Sequence, residues 1–147
     1  MRLVPGFDLA VPPGWQVAAR RQPEDRPGHP GNLLVHAATV PLPRERGDFG
    51  SGVVTLLGPD DLFVSLFEYD RESVGTALFA NKGMPVPRPS DFDPSAMQRV
   101  RPGMSGGQWF FQDGGRAWCL FAVLGSHARR QRGAVRVHGL LRGVRIG

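Results

Sequence analysis

Short runs of apolar residues, separated by proline, glycine and charged residues, divide the chain into extended segments. Residues 7–11 alternate apolar and polar side chains, which predicts a half-buried strand. Pro12-Pro13-Gly14 breaks this segment, and the extended pattern resumes at residues 15–17. Residues 33–40 predict a central strand, and residues 62–69 are rich enough in aromatic and branched side chains to predict a strand covered on both faces.

The middle of the chain predicts a short helix and a hairpin. Residues 49–57 favour a helix, which Gly58-Pro59 would end because proline cannot continue the helical hydrogen bonds. Two apolar runs, 108–111 and 116–124, flank the turn sequence Gln112-Asp113-Gly114-Gly115. A glycine-containing loop of this length between apolar runs indicates a β-hairpin.

The last twenty residues favour a helix. Ala134, Val137, Leu141 and Val144 are spaced so that they lie on one helical face. Three glycines weaken this prediction, and the alternation over residues 135–138 would also suit a strand. We therefore predict an α+β fold with a single antiparallel sheet, a short internal helix and a C-terminal helix packed on the sheet, all in one domain over residues 1–147.

The composition fits a packed globular domain. The hydrophobic fraction is 41% and the chain has one cysteine, which suits a reducing compartment. No apolar leader follows Met1, and the longest apolar run, 117–124, is far shorter than the ~20 residues that cross a bilayer. These features predict a cytoplasmic protein without a membrane span.

Positive charge is concentrated at the C-terminal end. The chain has a formal net charge of +5, yet residues 128–147 contain six arginines and no acid, so the first 127 residues sum to −1. Lys82 is the only lysine. This arginine bias is typical of a GC-rich genome and lowers the weight of any single arginine. The asymmetry still indicates an anionic partner.

The candidate binding residues are the arginines of the predicted terminal helix. A row of guanidinium groups can hold phosphate, an acidic protein surface or anionic lipid. Nucleic acid is the weaker hypothesis, because the last twenty residues contain no aromatic side chain on which a base could stack. A solvated helix face is the more frequent role of such a row, and self-association stays open. The row consists of Arg129, Arg130, Arg132 and Arg136.

A small-ligand or enzyme domain is the alternative. It would use a pocket between the sheet and the proline-rich connector 83–94, lined by Phe92, Trp109 and Phe111.

No recognised catalytic, cofactor or metal motif is present. Cys119 lies in the most apolar segment, which predicts an inert core thiol. Glu68 near the end of a covered strand would need an arginine partner, so we predict an internal ion pair. The four histidines lack the i, i+4 spacing that places two imidazoles on one ion, so we expect no metal site. They are His29, His36, His127 and His138.

Two resemblances can be named from these residues. The segment 58–69, the segment Arg116-Ala117-Trp118-Cys119-Leu120 and the junction Gly125-Ser126-His127-Ala128 resemble a family of small, uncharacterised actinobacterial proteins. The opening segment 7–15, with its Pro-Pro-Gly-Trp sequence, resembles the start of PsbP/Mog1-like domains. That second resemblance implies a domain that acts by binding. We therefore expect a non-enzymatic accessory domain, without a cofactor, that contacts a protein partner through its basic C-terminal helix.

Overall fold

Antiparallel strands build most of the structure. The computed structural model describes residues 2–22 and 31–147. Within these residues the strands are β1 Arg2–Val4, β2 Phe7–Leu9, β3 Gln16–Arg21, β4 Leu33–Ala38, β5 Leu62–Tyr69, β6 Ser105–Asp113, β7 Arg116–Leu124 and β8 Val144–Ile146, and the α-helix is α1 Arg130–Leu141. The α+β class is confirmed.

The larger sheet has five strands in the order β3-β4-β5-β7-β6. Its central strands pair over their whole length, from Leu62 opposite Leu124 to Tyr69 opposite Ala117. The predicted hairpin is β6–β7, and it turns through Gly114 and Gly115. Both glycines have positive φ, 62° and 72°, which is the backbone of a type I′ turn.

Two apolar cores lie on opposite faces of this sheet. Successive residues of β5 point to opposite faces, so Val64 joins one core and Phe63 the other. Helix α1 and β2 cover the first core, which they enter through Val137 and Phe7. Residues 39–58 cover the second core through side chains such as Val53. The five-stranded sheet is thereby a central layer, as the composition of β5 predicts.

The prediction of a single sheet is wrong, because a second sheet of three strands has the order β1-β2-β8. Leu9 at the end of β2 pairs with Val144 of β8. Pro12 and Pro13 lack the backbone N–H groups that would let the extended chain continue pairing into β3. The two segments thus enter different sheets. The second sheet packs on the first core, where the rings of Phe7 and Trp118 lie 5.6 Å apart.

The predicted internal helix over residues 49–57 is one 3-10 turn, Val54–Leu56. Gly50 and Gly52 have φ values of +95° and +87°, which an α-helix does not accommodate. The chain instead folds as a loop that buries Val53 and leaves Leu56 51% exposed.

The terminal helix is confirmed but is shorter than predicted. α1 ends at Leu141, and Val144 lies in β8 rather than on the helical face. Gly143 allows the chain to leave the helix beside β2, because a Cβ at this position would lie 2.5 Å from the carbonyl oxygen of Ala10. The carbonyl of Gly143 accepts a hydrogen bond from the Ala10 amide at 2.9 Å.

Candidate functional site

The solvent-facing side of α1 carries the arginine row. Apolar residues at the helical spacing, including Ala134 and Val137, bury the opposite side in the first core. Arg129 and Arg132 are exposed, and Arg130 and Arg136 are half-buried. Arg130 differs in its contacts, because its Nη1 donates a hydrogen bond to the His127 carbonyl at 3.1 Å, at the start of the helix.

One acidic turn receives three of these arginines. Arg129 Nη1 lies 2.8 Å from Asp60 Oδ1, and Arg136 donates a hydrogen bond to the Asp60 carbonyl. Arg132 lines the same shallow cleft. The hydrogen bond from Arg129, followed by the positive charge of all three arginines, lowers the pKa of Asp60. A single carboxylate therefore faces three guanidinium groups, and this end of the helix keeps an excess of positive charge.

An apolar patch and a shallow depression continue the same side of the helix. Val135 is 70% exposed, one turn from Arg132. Further along, Gly139 has no atom within 4 Å of the place where a Cβ would be. An open depression of about 630 Å³ follows there, bordered by Val11, Pro12 and Arg142 among others. We call residues 129–142 on this side, together with Asp60, the arginine face.

The three residues predicted to line a pocket are placed in or against the core. Phe92 and Phe111 are buried, and Trp109 packs partly buried against them. The rings of Phe92 and Trp109 meet edge to face with centroids 5.6 Å apart. These side chains fill the space beneath the connector with their own packing.

A groove of about 340 Å³ opens on the other face of the sheet. Its walls are the loop 49–55 and the segment 97–101, and its floor includes Phe121 and Val123 of β7. We call it the 49–55 groove. Sequence reasoning missed it, because its two walls are far apart in the chain and no local motif links them.

The buried polar groups of the second core form a closed cluster around one backbone carbonyl. His36 Nε2 and Ser65 Oγ both donate to the Asp48 oxygen at 2.8 Å. Arg46 Nε donates to His36 Nδ1 at 2.7 Å. A carbonyl only accepts and a guanidinium only donates, so the imidazole is neutral with its proton on Nε2. Each of these groups is occupied in holding the loop, and none is poised toward solvent.

The remaining chemistry-bearing residues of the sequence are structural. Cys119 is buried, as predicted, and its burial raises the pKa of the thiol. The predicted internal ion pair is confirmed. Both guanidinium nitrogens Nε and Nη2 of Arg116 bind the Glu68 carboxylate, at 2.7 and 3.0 Å, and the guanidinium also lies over the ring of Trp118.

No group of three or more potential metal ligands gathers within residues 2–22 and 31–147. His29, one of the four histidines, lies outside the described residues. In that same part of the chain, no helix has both the length and the apolar character needed to cross a membrane.

The chain has no significant match among protein-family models, curated proteins or solved structures.

Proposed function

We propose that this chain is a non-enzymatic accessory domain that binds a protein partner through the arginine face. The partner surface is acidic. One observation carries the proposal: Arg129, Arg132 and Arg136 gather around Asp60, whose single carboxylate balances only one of their three charges, and this leaves a net positive surface one helical turn from the exposed Val135.

The composition of the face favours a protein as the partner. Protein interfaces combine apolar side chains at the centre with polar and arginine side chains around them. Val135 supplies the apolar centre, and Arg132 lies one helical turn before it on the same side of α1. A nucleic-acid surface would instead be expected to interleave aromatic side chains with the basic ones, and residues 129–142 contain none.

Asp60 gives the arginines a fixed arrangement before any partner arrives. It holds Arg129 by its carboxylate and Arg136 by its carbonyl, so these long side chains lose less conformational freedom on binding. Their remaining N–H groups are available to partner carboxylates, to which guanidinium groups bind in a bidentate manner. Arg132, whose side chain forms no ion pair within the described residues, is the most available of the three.

Two further points support binding rather than catalysis. Cys119 is buried with a raised pKa, and His36 and Ser65 are occupied in the cluster around the Asp48 carbonyl. The resemblance of residues 7–15 to the start of PsbP/Mog1-like domains points the same way, since domains of that kind act by binding.

Affinity capture from a lysate of the native host tests the proposal. The test variant is Arg129→Glu/Arg132→Glu/Arg136→Glu. The control is Arg44→Glu/Arg71→Glu/Lys82→Glu, which makes the same charge change at three other exposed positions. We expect a protein with an acidic surface that binds the wild type and the control but not the test variant.

A single substitution avoids a possible folding defect of the triple variant. In that variant, Arg129→Glu would place a second carboxylate beside that of Asp60. Arg132→Glu alone should weaken the captured interaction about tenfold while thermal unfolding stays unchanged. A partner that binds the wild type and both arginine-face variants equally would refute the arginine face as the binding surface.

A further inference from the structure

The 49–55 groove has an apolar floor. Phe121 and Val123 reach it from β7, and Met97 reaches it from the opposite wall. The ring of Phe49 stands edge to face against Phe121, with centroids 5.7 Å apart. Such a floor favours binding of a hydrocarbon chain or an aromatic ring, because the apolar surfaces of ligand and floor are then removed from water.

Among the described residues, two arginines and no acidic residue line the groove. Arg99 is exposed and Arg101 is half-buried. Neither guanidinium group forms a hydrogen bond or ion pair with another residue of the described ranges, in contrast to those of Arg129 and Arg136. Two guanidinium groups without a partner beside an apolar floor are complementary to an anion attached to an apolar body.

The wall formed by residues 49–55 is held in place by the second core. His36 and Ser65 anchor it through the Asp48 carbonyl, next to the start of the wall. Gly50 lies so close to the sheet that a Cβ there would meet the Phe63 ring at 2.7 Å. The groove is therefore formed before a ligand binds, which lowers the entropic cost of binding.

We propose that the 49–55 groove binds a small organic anion, a monocarboxylate with a medium-length alkyl chain or one aromatic ring. The apolar body lies against Phe49 and Phe121, and the carboxylate is held by Arg99 and Arg101. The volume of about 340 Å³ suits one such molecule, since it lies at the lower end of the roughly 300–1,000 Å³ found for ligand pockets. This site is separate from the arginine face, and it does not depend on the partner proposed for that face.

Octanoate is the test ligand, and octanol is its neutral control with the same chain length. Binding is measured by titration calorimetry and by amide chemical shifts in nuclear magnetic resonance spectra. We expect octanoate to bind more tightly than about 1 mM and at least about tenfold more tightly than octanol. The largest shifts should fall on the amides of Gly50, Gly52 and Thr55.

Paired variants separate the charge contribution from the apolar one. Arg99→Ala/Arg101→Ala should remove the preference for octanoate over octanol. Arg44→Ala/Arg71→Ala, with the same change of net charge at exposed positions elsewhere, should retain it. Thr55→Trp, which places a large ring at the exposed groove wall, should weaken both ligands.

Three binding results would overturn the proposal. They are octanoate binding weaker than about 1 mM, equal binding of octanoate and octanol to the wild type, and an unchanged preference in Arg99→Ala/Arg101→Ala. Shifts that map to the arginine face instead of residues 49–55 would also overturn it.

Discussion

At the scale of single residues, His36 is a buried histidine whose two ring nitrogens are both hydrogen-bonded. It lies between the Asp48 carbonyl, which accepts a hydrogen bond from Nε2–H, and the Arg46 guanidinium, which donates one to Nδ1. Burial is the main cause that lowers the pKa of His36, to about 4, and the charges of Arg46 and Arg20 lower it further, against the opposing hydrogen bond to Asp48. A protonated imidazole would lose its bond from Arg46 and place two cations together.

This environment predicts an acid-sensitive fold. The pKa of His36 in the folded state lies below its unfolded value of 6.5, so its contribution to stability is complete above pH 6.5 and is lost as the pH falls toward 4. The full loss amounts to about 3 kcal/mol of unfolding free energy. Urea unfolding between pH 7.5 and 4 would measure it, with His36→Gln as the comparison.

The variant isolates the histidine because glutamine can donate and accept at similar positions but does not titrate. We expect a shallower decline of unfolding free energy with falling pH in His36→Gln than in the wild type. Parallel declines would show that the carboxylates, and not His36, govern acid unfolding.

At the scale of elements, two glycines of helix α1 have different surroundings, although both weaken the prediction of a helix from the sequence. Gly133 faces the sheet, where a Cβ would lie 2.9 Å from the buried Leu124 side chain. Gly139 faces solvent, with nothing within 4 Å. The first glycine permits close packing of helix on sheet, whereas the second only weakens the helix.

These two positions give a matched pair of substitutions. Gly139→Ala should stabilise the protein by about 1 kcal/mol, because alanine favours the helix and the unfolded chain loses freedom. Gly133→Ala should destabilise it, since the added Cβ would force the buried Leu124 side chain to shift within the core. Thermal unfolding of both variants measures the effects. A stabilised Gly133→Ala variant would contradict the packing of α1 described above.

The elements also show how far the sequence predicts this fold. Strand β5 and the β6–β7 hairpin were predicted correctly, because continuous apolar runs and a Gly-Gly turn are local signals. Strands β1 and β8 were missed, since each has three residues and forms only by pairing with β2. The prediction of an internal helix was wrong. The apolar pattern of residues 49–57 does not reveal that Gly50 and Gly52 adopt positive φ values, which interrupt a helix.

At the scale of the whole molecule, the arginine face and the 49–55 groove differ in how far each can be predicted from the sequence. The arginine row follows from helical spacing alone, and the structure places Arg129, Arg132 and Arg136 on one side of α1. The relation of these side chains to Asp60 depends on the packing of the turn before β5 against the helix, which no local pattern encodes. The 49–55 groove depends entirely on tertiary packing.

The molecule therefore presents two surfaces on opposite faces of one sheet. The arginine face and the first core lie on the side of α1, and the 49–55 groove lies over the second core. A ligand in the groove would leave the arginine face accessible, so occupation of one site does not obstruct the other.

Photo-crosslinking in cells of the native host tests the central claim most directly. The crosslinking residue p-benzoylphenylalanine would replace Val135 on the arginine face, and in a separate control it would replace Val86, which is 59% exposed in the connector. We predict one dominant crosslinked protein with an acidic surface from position 135, absent from position 86 and reduced when Arg132→Glu is added. No product from position 135, or the same products from both positions, would contradict the proposal that the arginine face binds a protein partner.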